Sequence, residues 1–376
     1  MAVAKRPSGK KVSIGKPVRA GATVTLRDVA AAARTTPMTV SNVINGRKGQ
    51  VGPEMIARVL AACEKLDYRP NANARQLRTK RRMTVGVIMV DASPHYLSDP
   101  FTAALLAGLN DVMQAAGYSI VLQGTSPSEL ASLTLLRRIE SDGLFLLLSG
   151  SPTQRKQIIH QVAALGQPLV LIQDPLPEPV TDACSLIQDD HGGGATIARH
   201  LFQCTCRQAV MLVPSDAWSA MERREAGVRE VLHTMAKPPA FHVVHCGDEG
   251  FDGTQAAFAA HVAQHGFPDV VIGGNDRMAI AAMKWLIAQG RQVPEQTRVT
   301  GFNGFDFWRY ASPELTTVLS PAFQLGEEGA RALLERLETG AFTTRQQVLP
   351  VVFSPNVSSH STAARRKPGT PRAEAA

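Results

Sequence analysis

Residues 25–45 read TLRDVAAAARTTPMTVSNVIN, and the way the chain begins is decided there. Leu26, Val29, Ala30 and Ala33 recur at helical spacing, the mark of one buried face. Thr25 with Asp28 three residues later makes a carboxylate variant of the capping box. Arg34-Thr35-Thr36 interrupts the pattern and Thr36-Pro37 restarts it, because a hydroxyl caps free N–H groups and proline at the first helical position gives up no hydrogen bond. In this second helix Val40, Val43 and Ile44 point inward, which leaves Pro37, Met38, Ser41 and Asn42 outward near its start. A helix-turn-helix unit presents base-reading residues in this way. Two short amphipathic helices and a turn also occur in small helical domains that never touch DNA, so the setting of the motif matters.

Charge supplies that setting. Residues 1–82 hold 18 Lys and Arg against 4 Asp and Glu, a net of +14; the whole chain is +8, so residues 83–376 carry −6. A basic head on a mildly acidic body points to a polyanion partner for the head alone, although a solvated charge run would have the same composition. At 376 residues the chain has room for two or three domains. No apolar run reaches the ~18 residues of a membrane span, and the basic N-terminus is not followed by an apolar signal core. The five cysteines are scattered and odd in number, which fits a reducing cytosol. Cys204-x-Cys206 is too tight for the usual zinc spacings and is read as structural.

Residues 1–22 are rich in Lys, Arg, Gly and Pro without periodicity, a disordered arm that adds phosphate attraction. A third helix is expected over 53–66, where Ile56, Val59, Leu60, Cys63 and Leu66 would close a three-helix core. The next segment, YRPNANARQLRTKRR (68–82), has one apolar residue amid cations and buries too little surface to be a helix alone. Paired with a copy of itself on DNA it could fold, Leu77 wedging between base steps with Arg75, Arg78 and Lys80 near phosphates. The bland alternative is a solvated linker.

VTLRDVAAAA, MTVSNVIN and LDYRPNANARQL together resemble the DNA-binding head of the lactose/galactose repressor (LacI/GalR) family, in its order and spacing. The resemblance implies a dimer on a palindromic operator, with a hinge helix over 70–82 that inserts Leu77 into the minor groove. The expected DNA contacts are Thr36, Pro37, Met38, Thr39, Ser41, Asn42, Asn45, Arg75, Leu77 and Arg78. Base reading carries over to Pro37, Met38 and Asn42; the first two suit apolar contact with thymine methyls, and Asn42 is the hydrogen-bonding reader.

From Met83 the texture changes to alternating strand and helix: VGVIMV (85–90), a helix over 101–116, a strand at 119–123, a helix over 129–140, GLFLLL (143–148), and onward to a strand at 298–301. Two runs of such units imply two doubly wound parallel sheets with a cleft between them. The family resemblance continues through DGLFLL (142–147), DDHGGGATIARHL (189–201), ERREAG (222–227), NDRMAIAAM (275–283), GFNGFD (301–306) and SPELTTVLSP (312–321). The fold class is therefore α+β multidomain: an all-α helix-turn-helix head (23–69) and hinge helix (70–82), then a two-lobed α/β body like periplasmic binding proteins (83–356). The resemblance implies that the last segments cross back, so lobe one is expected at about 83–186 and 322–345 and lobe two at about 187–321 and 346–356, with a disordered tail at 357–376. That tail lacks leucine heptads, so a homodimer is expected rather than a coiled-coil tetramer.

No catalytic constellation stands out: there is no Gly-x-Ser-x-Gly, no phosphate loop and no His-Glu-x-x-His. Gly192-Gly193-Gly194 reads as tight packing at a helix start, and the ten histidines show no ligand spacing. No enzyme activity, metal or cofactor is expected. The family's effector positions carry over to Phe101, Arg224, Asn275 and Asn303, with Ser149, Asp174, Phe251 and Asp306 as weaker candidates. Arg224 could clamp a carboxylate or hydroxyl pair bidentately, or form a surface ion pair; Asn275 or Asp276 could simply cap a helix. Asn303 falls where sugar-binding members carry an aspartate, and GFNGFD is similar to a stretch of gluconate-type regulators. The reading is a cytoplasmic, nucleoid-associated repressor, with no membrane partner, whose operator affinity responds to a sugar or sugar acid such as gluconate. The alternatives are a purine- or phosphosugar-dependent co-repressor system, or a solute-binding protein.

Overall fold

The structure, a computed structural model, describes residues 24–44, 51–68, 81–91, 98–133, 141–215, 218–247 and 250–360. The chain divides into two compact units at Lys80/Arg81. The first holds α1 (Leu26–Ala32), α2 (Pro37–Ile44) and α3 (Pro53–Lys65). The capping box is present in both directions: the Thr25 N–H donates to Asp28 Oδ2 at 2.8 Å and the Asp28 N–H to Thr25 Oγ1 at 3.4 Å. Thr36 Oγ1 caps α2 through the Thr39 N–H at 3.2 Å. Val29, Val40, Val43 and Val59 form the core between the helices, each worth ~1.5–3 kcal/mol of burial. Arg58 of α3 donates to the Ala33 carbonyl at 3.0 Å, which ties the third helix to the turn and satisfies an acceptor at the end of α1.

The second unit opens with β1 (Thr84–Val90), α4 (Pro100–Ala115), β2 (Ser119–Thr125), β3 (Leu144–Leu148), α5 (Pro152–Ala163), β4 (Leu169–Ile172) and β5 (Ala183–Gln188). It continues through α6 (Asp190–Leu201), β6 (Gln208–Val213), α7 (Ser219–Thr234), β7 (Ala240–His245), α8 (Phe251–His265), β8 (Val270–Gly273), α9 (Asp276–Ala288) and β9 (Arg298–Thr300). It closes with β10 (Thr317–Leu319), α10 (Ala322–Thr339), β11 (Gln346–Leu349) and β12 (Val352–Ser354). The first sheet is ordered β11-β5-β4-β3-β1-β2 and the second β7-β6-β8-β9, both parallel, while β10 and β12 pair antiparallel. LFLLL and LVLI are buried at every position, as strands covered by helices on both faces must be. β1 lies between β2 and β3, and β6 between β7 and β8. Strand order therefore reverses once in each sheet, and a crevice opens at the carboxyl ends there.

Several sequence expectations are corrected. Residues 346–349, expected in lobe two, are the edge strand of the first sheet, in register with Ser185–Gln188; Pro350, which has no N–H to donate, ends that ladder, and the chain crosses only then. All of β5 belongs to lobe one, so the first crossing falls at 188–190 rather than at 186/187. Arg82, expected in the hinge, is held on the first lobe by its N–H to Asp142 Oδ1 at 2.8 Å. Val357–Ser359, expected in a disordered tail, forms a 3-10 turn whose Ser358 hydroxyl donates to the Val299 carbonyl at 2.6 Å. Of the helix expected over 129–140, a 3-10 turn at Leu130–Ser132 is described and 134–140 lie outside the described residues.

Candidate functional site

On the first unit the start of α2 presents Thr36, Pro37 and Met38 to solvent, and Met38 is 68 % exposed. Thr39, Ser41 and Asn42 are half-buried, while Val40 and Val43 face the core. This is the outward surface expected of a reading helix. Asn45, Arg75, Leu77 and Arg78 lie outside the described residues.

In the body, a cavity of about 50 Å³ lies between the lobes. Asp99, Phe101 and Thr102 reach it from the start of α4, and Gln173 from the end of β4. From the second lobe come Trp218, Met221 and Arg224 around the start of α7, with Asn275 after β8 and Asn303 after β9. Every one of these positions follows the carboxyl end of a strand, where a doubly wound fold places ligands. Phe101, Arg224, Asn275 and Asn303 are thus brought together as the sequence suggested. Ser149 and Asp174 do not line the cavity: Ser149 bridges Trp218 in the backbone and Asp174 is committed to Arg155. Phe251 lies in another groove, beside Arg277 and Tyr310, and Asp306 is exposed at the start of a 3-10 turn. Sequence reasoning missed Asp99, Gln173 and Trp218; only the rule that ligands gather after strand ends could have found them.

Arg224 is buried and its directions are set. Nε donates to Asp190 Oδ1 at 2.9 Å, Nη1 to the Gly274 carbonyl at 2.6 Å and Nη2 to Asn303 Oδ1 at 2.9 Å. The guanidinium lies 3.7 Å from the centroid of the Phe302 ring. The bidentate clamp expected from sequence is corrected accordingly, since the fork's Nε edge is spent on Asp190 and Nη2 has one further N–H to offer. Asn275 caps α9, its Oδ1 accepting the Met278 N–H at 3.0 Å. Asp276 behind it is 1 % exposed. Burial pushes its carboxyl up to about 7, against hydrogen bonds from Thr317 and Gly304 and the charge of Arg224. Burial likewise raises Asp99, whose Oδ2 accepts the Thr102 N–H at 3.0 Å.

The glycine run is packing, as expected. A Cβ on Gly194 would sit 2.2 Å from the Arg224 carbonyl oxygen and one on Gly227 2.0 Å from that of His191. Helices α6 and α7 therefore touch backbone to backbone, and that contact seats Arg224. The expectation that no histidines share ligand spacing is corrected: His242, His261 and His265 meet on the second lobe because a distant strand supplies the first of them.

A two-lobed body with a cavity at its strand ends, joined in sequence to a helix-turn-helix unit, defines a class: ligand-responsive DNA-binding regulators. Comparison with known proteins gives the family. Residues 25–71 match the model for bacterial regulatory proteins of the lacI family, and 198–355 the periplasmic binding protein-like domain. The HTH-type transcriptional regulator CelR of Thermobifida fusca is 32 % identical, over 85 % of this chain and 93 % of its own. The ribose operon repressor of Halalkalibacterium halodurans is 28 % identical, over 87 % and 94 %. A solved CelR–cellobiose complex superposes with a TM-score of 0.63 at 27 % identity, over 89 % of this chain and 99 % of that one. A lac repressor dimer on operator shares the fold, with a TM-score of 0.73 at 22 % identity over 90 % and 99 %. The chain belongs to the lacI family of DNA-binding transcriptional regulators.

Proposed function

We propose that this protein is a homodimeric, cytoplasmic, nucleoid-associated repressor of a palindromic operator, and that a sugar-class metabolite in the interlobe cavity sets its operator affinity. One observation carries the effector reading: Asp99, Arg224, Asn275 and Asn303 offer polar groups to the same small cavity that Phe101 and Trp218 line with aromatic surface. Fixed hydrogen-bonding groups against an apolar face suit a ring bearing hydroxyls. Relatives named for ribose and cellobiose support the same class.

Within that class a sugar acid such as gluconate rests on the GFNGFD stretch and on the remaining Nη2 hydrogen of Arg224. The ion pair of Arg224 with Asp190 favours a neutral sugar, because the cation is already balanced. The two aromatic faces would also accept a purine as co-repressor. On the DNA side, Pro37, Met38 and Asn42 read bases, Thr36, Thr39, Ser41 and Asn45 support them, Arg75 and Arg78 hold phosphates, and Leu77 enters the minor groove. A ligand can shift operator affinity only by binding one lobe arrangement better than the other.

Gel shifts on palindromic duplexes, with ribose, gluconate and hypoxanthine in separate arms, test the reading. Selective retention of a palindrome over random DNA, altered by one of these metabolites and lost on removal of residues 1–80, is the expected result. Equal binding of all duplexes in every arm would refute it.

A further inference from the structure

We propose that His242, His261 and His265 form a binding site for a divalent transition metal of the zinc, cobalt or nickel kind on the second lobe, apart from the effector cavity. His261 and His265 are four residues apart on α8, so they stand one turn apart on one face. Edge strand β7 supplies His242. The rings gather tightly: centroids are 4.6 Å apart for His261–His265, 4.8 Å for His242–His265 and 5.1 Å for His242–His261. One ligand nitrogen from each lies within 4.8 Å of the others. Among the described residues this is the one group of three or more His, Cys, Asp or Glu side chains close enough to share an ion.

His261 gives the second observation. It is 9 % exposed and its buried Nε2 has no hydrogen-bond partner. A buried ring nitrogen left unpaired is costly, and a metal would satisfy it. Zinc at ~2.0–2.1 Å from each nitrogen needs neighbouring nitrogens ~3.3 Å apart. The three rings must therefore draw in slightly, and half-buried His242 and exposed His265 have the freedom to do so.

The fourth position faces outward. His242 and His265 line an open groove beside Arg207 and Asp269, where water could complete a tetrahedron. Arg207 and Asp269 already pair at 3.7 Å, so neither charge governs the site. Three imidazoles without a carboxylate in the set select borderline metals over magnesium or calcium. Bound there, the ion would clip α8 to the sheet edge.

The test uses tag-free, chelator-treated full-length protein titrated with cobalt chloride, followed by displacement with zinc chloride. One equivalent of cobalt should give visible ligand-field absorption without thiolate charge transfer, and zinc should abolish it. His265→Gln and His242→Gln should each weaken binding at least ~10-fold, the scale on which even outer-shell changes act, and His233→Gln on α7 should bind as wild type. Zinc should raise the melting temperature of wild type but not of His265→Gln. Absence of the visible absorption, its persistence in both variants, or a thiolate transition pointing to Cys204 and Cys206 would overturn the proposal and leave three rings packed for their own sake.

Discussion

The guanidinium of Arg155 on the first lobe sits 2.7 Å from Glu222 on the second, while its Nε holds buried Asp174 at 2.9 Å. The two halves of this arrangement differ in weight. Glu222 is 42 % exposed, so its pairing is screened and worth at most ~1 kcal/mol; Asp174 is 4 % exposed and its Oδ2 has no partner. Glu222→Gln should cost little stability but loosen lobe closure, read as a larger radius of gyration of the free protein in solution scattering. Arg155→Met strands the Asp174 carboxyl and should cost ~3 kcal/mol or more in urea unfolding. Equal effects of the two substitutions would contradict this division.

Arg224 holds the cavity together from the second lobe. Arg224→Met keeps the volume but removes the 2.9 Å partner of Asp190, which is fully buried and retains Arg223 and Gln188. The body should lose ~3 kcal/mol, less if Arg223 compensates. Operator binding by the folded fraction should survive, and the thermal shift caused by the effective sugar should vanish. A preserved shift would remove Arg224 from the effector site.

How much of this was legible in the chain depended on sequence distance. The capping box, the Thr36 stop and restart, and the buried strands are local patterns, and each appears where its residues predict. Arg224 was marked by its motif, but its partners lie 34 and 79 positions away at Asp190 and Asn303, which no local pattern reveals. β11 was misplaced because QQVL is short, three of its four residues are exposed, and it carries no alternation to assign a face.

Asp276 makes stability depend on pH. Its carboxyl titrates near ~3.9 in the unfolded chain and at about 7 in the fold. Between those values the native state holds a proton that the unfolded state lacks, so this group's contribution is full below ~4 and is lost as pH rises through 7. Asp174, raised by burial to about 6, acts in the same sense. Asp276→Asn should therefore melt progressively higher relative to wild type from pH ~4 to ~7, with the difference levelling off above that. A pH-independent difference would mean Asp276 is already ionised in the fold.

On the head, Asn42→Ala should lose ~1–3 kcal/mol of discrimination at one base pair, while Arg78→Ala weakens operator and random DNA alike. Met38→Ala should change head stability by less than ~0.5 kcal/mol, since its side chain is mostly exposed, yet weaken the preferred operator. Footprinting and thermal melts on the same variants separate the two effects.

Gly194→Ala drives a methyl into the Arg224 carbonyl, forcing α6 and α7 apart at a cost of ~1–3 kcal/mol. Effector affinity should fall although Gly194 does not line the cavity; unchanged affinity with normal stability would show that the helix contact does not position Arg224.

The polypeptide passes from one lobe to the other three times, after Gln188, Leu319 and Leu349. Ser320 donates to Gln188 Oε1 at 2.6 Å and the Asp189 N–H to the Leu349 carbonyl at 2.9 Å, so the three passages are laced to one another. With the three passages tied together, a displacement at one crossing is shared by the other two. A metabolite bound in the gap, as proposed above, would therefore pull on all three strands of that seam together rather than on any one of them.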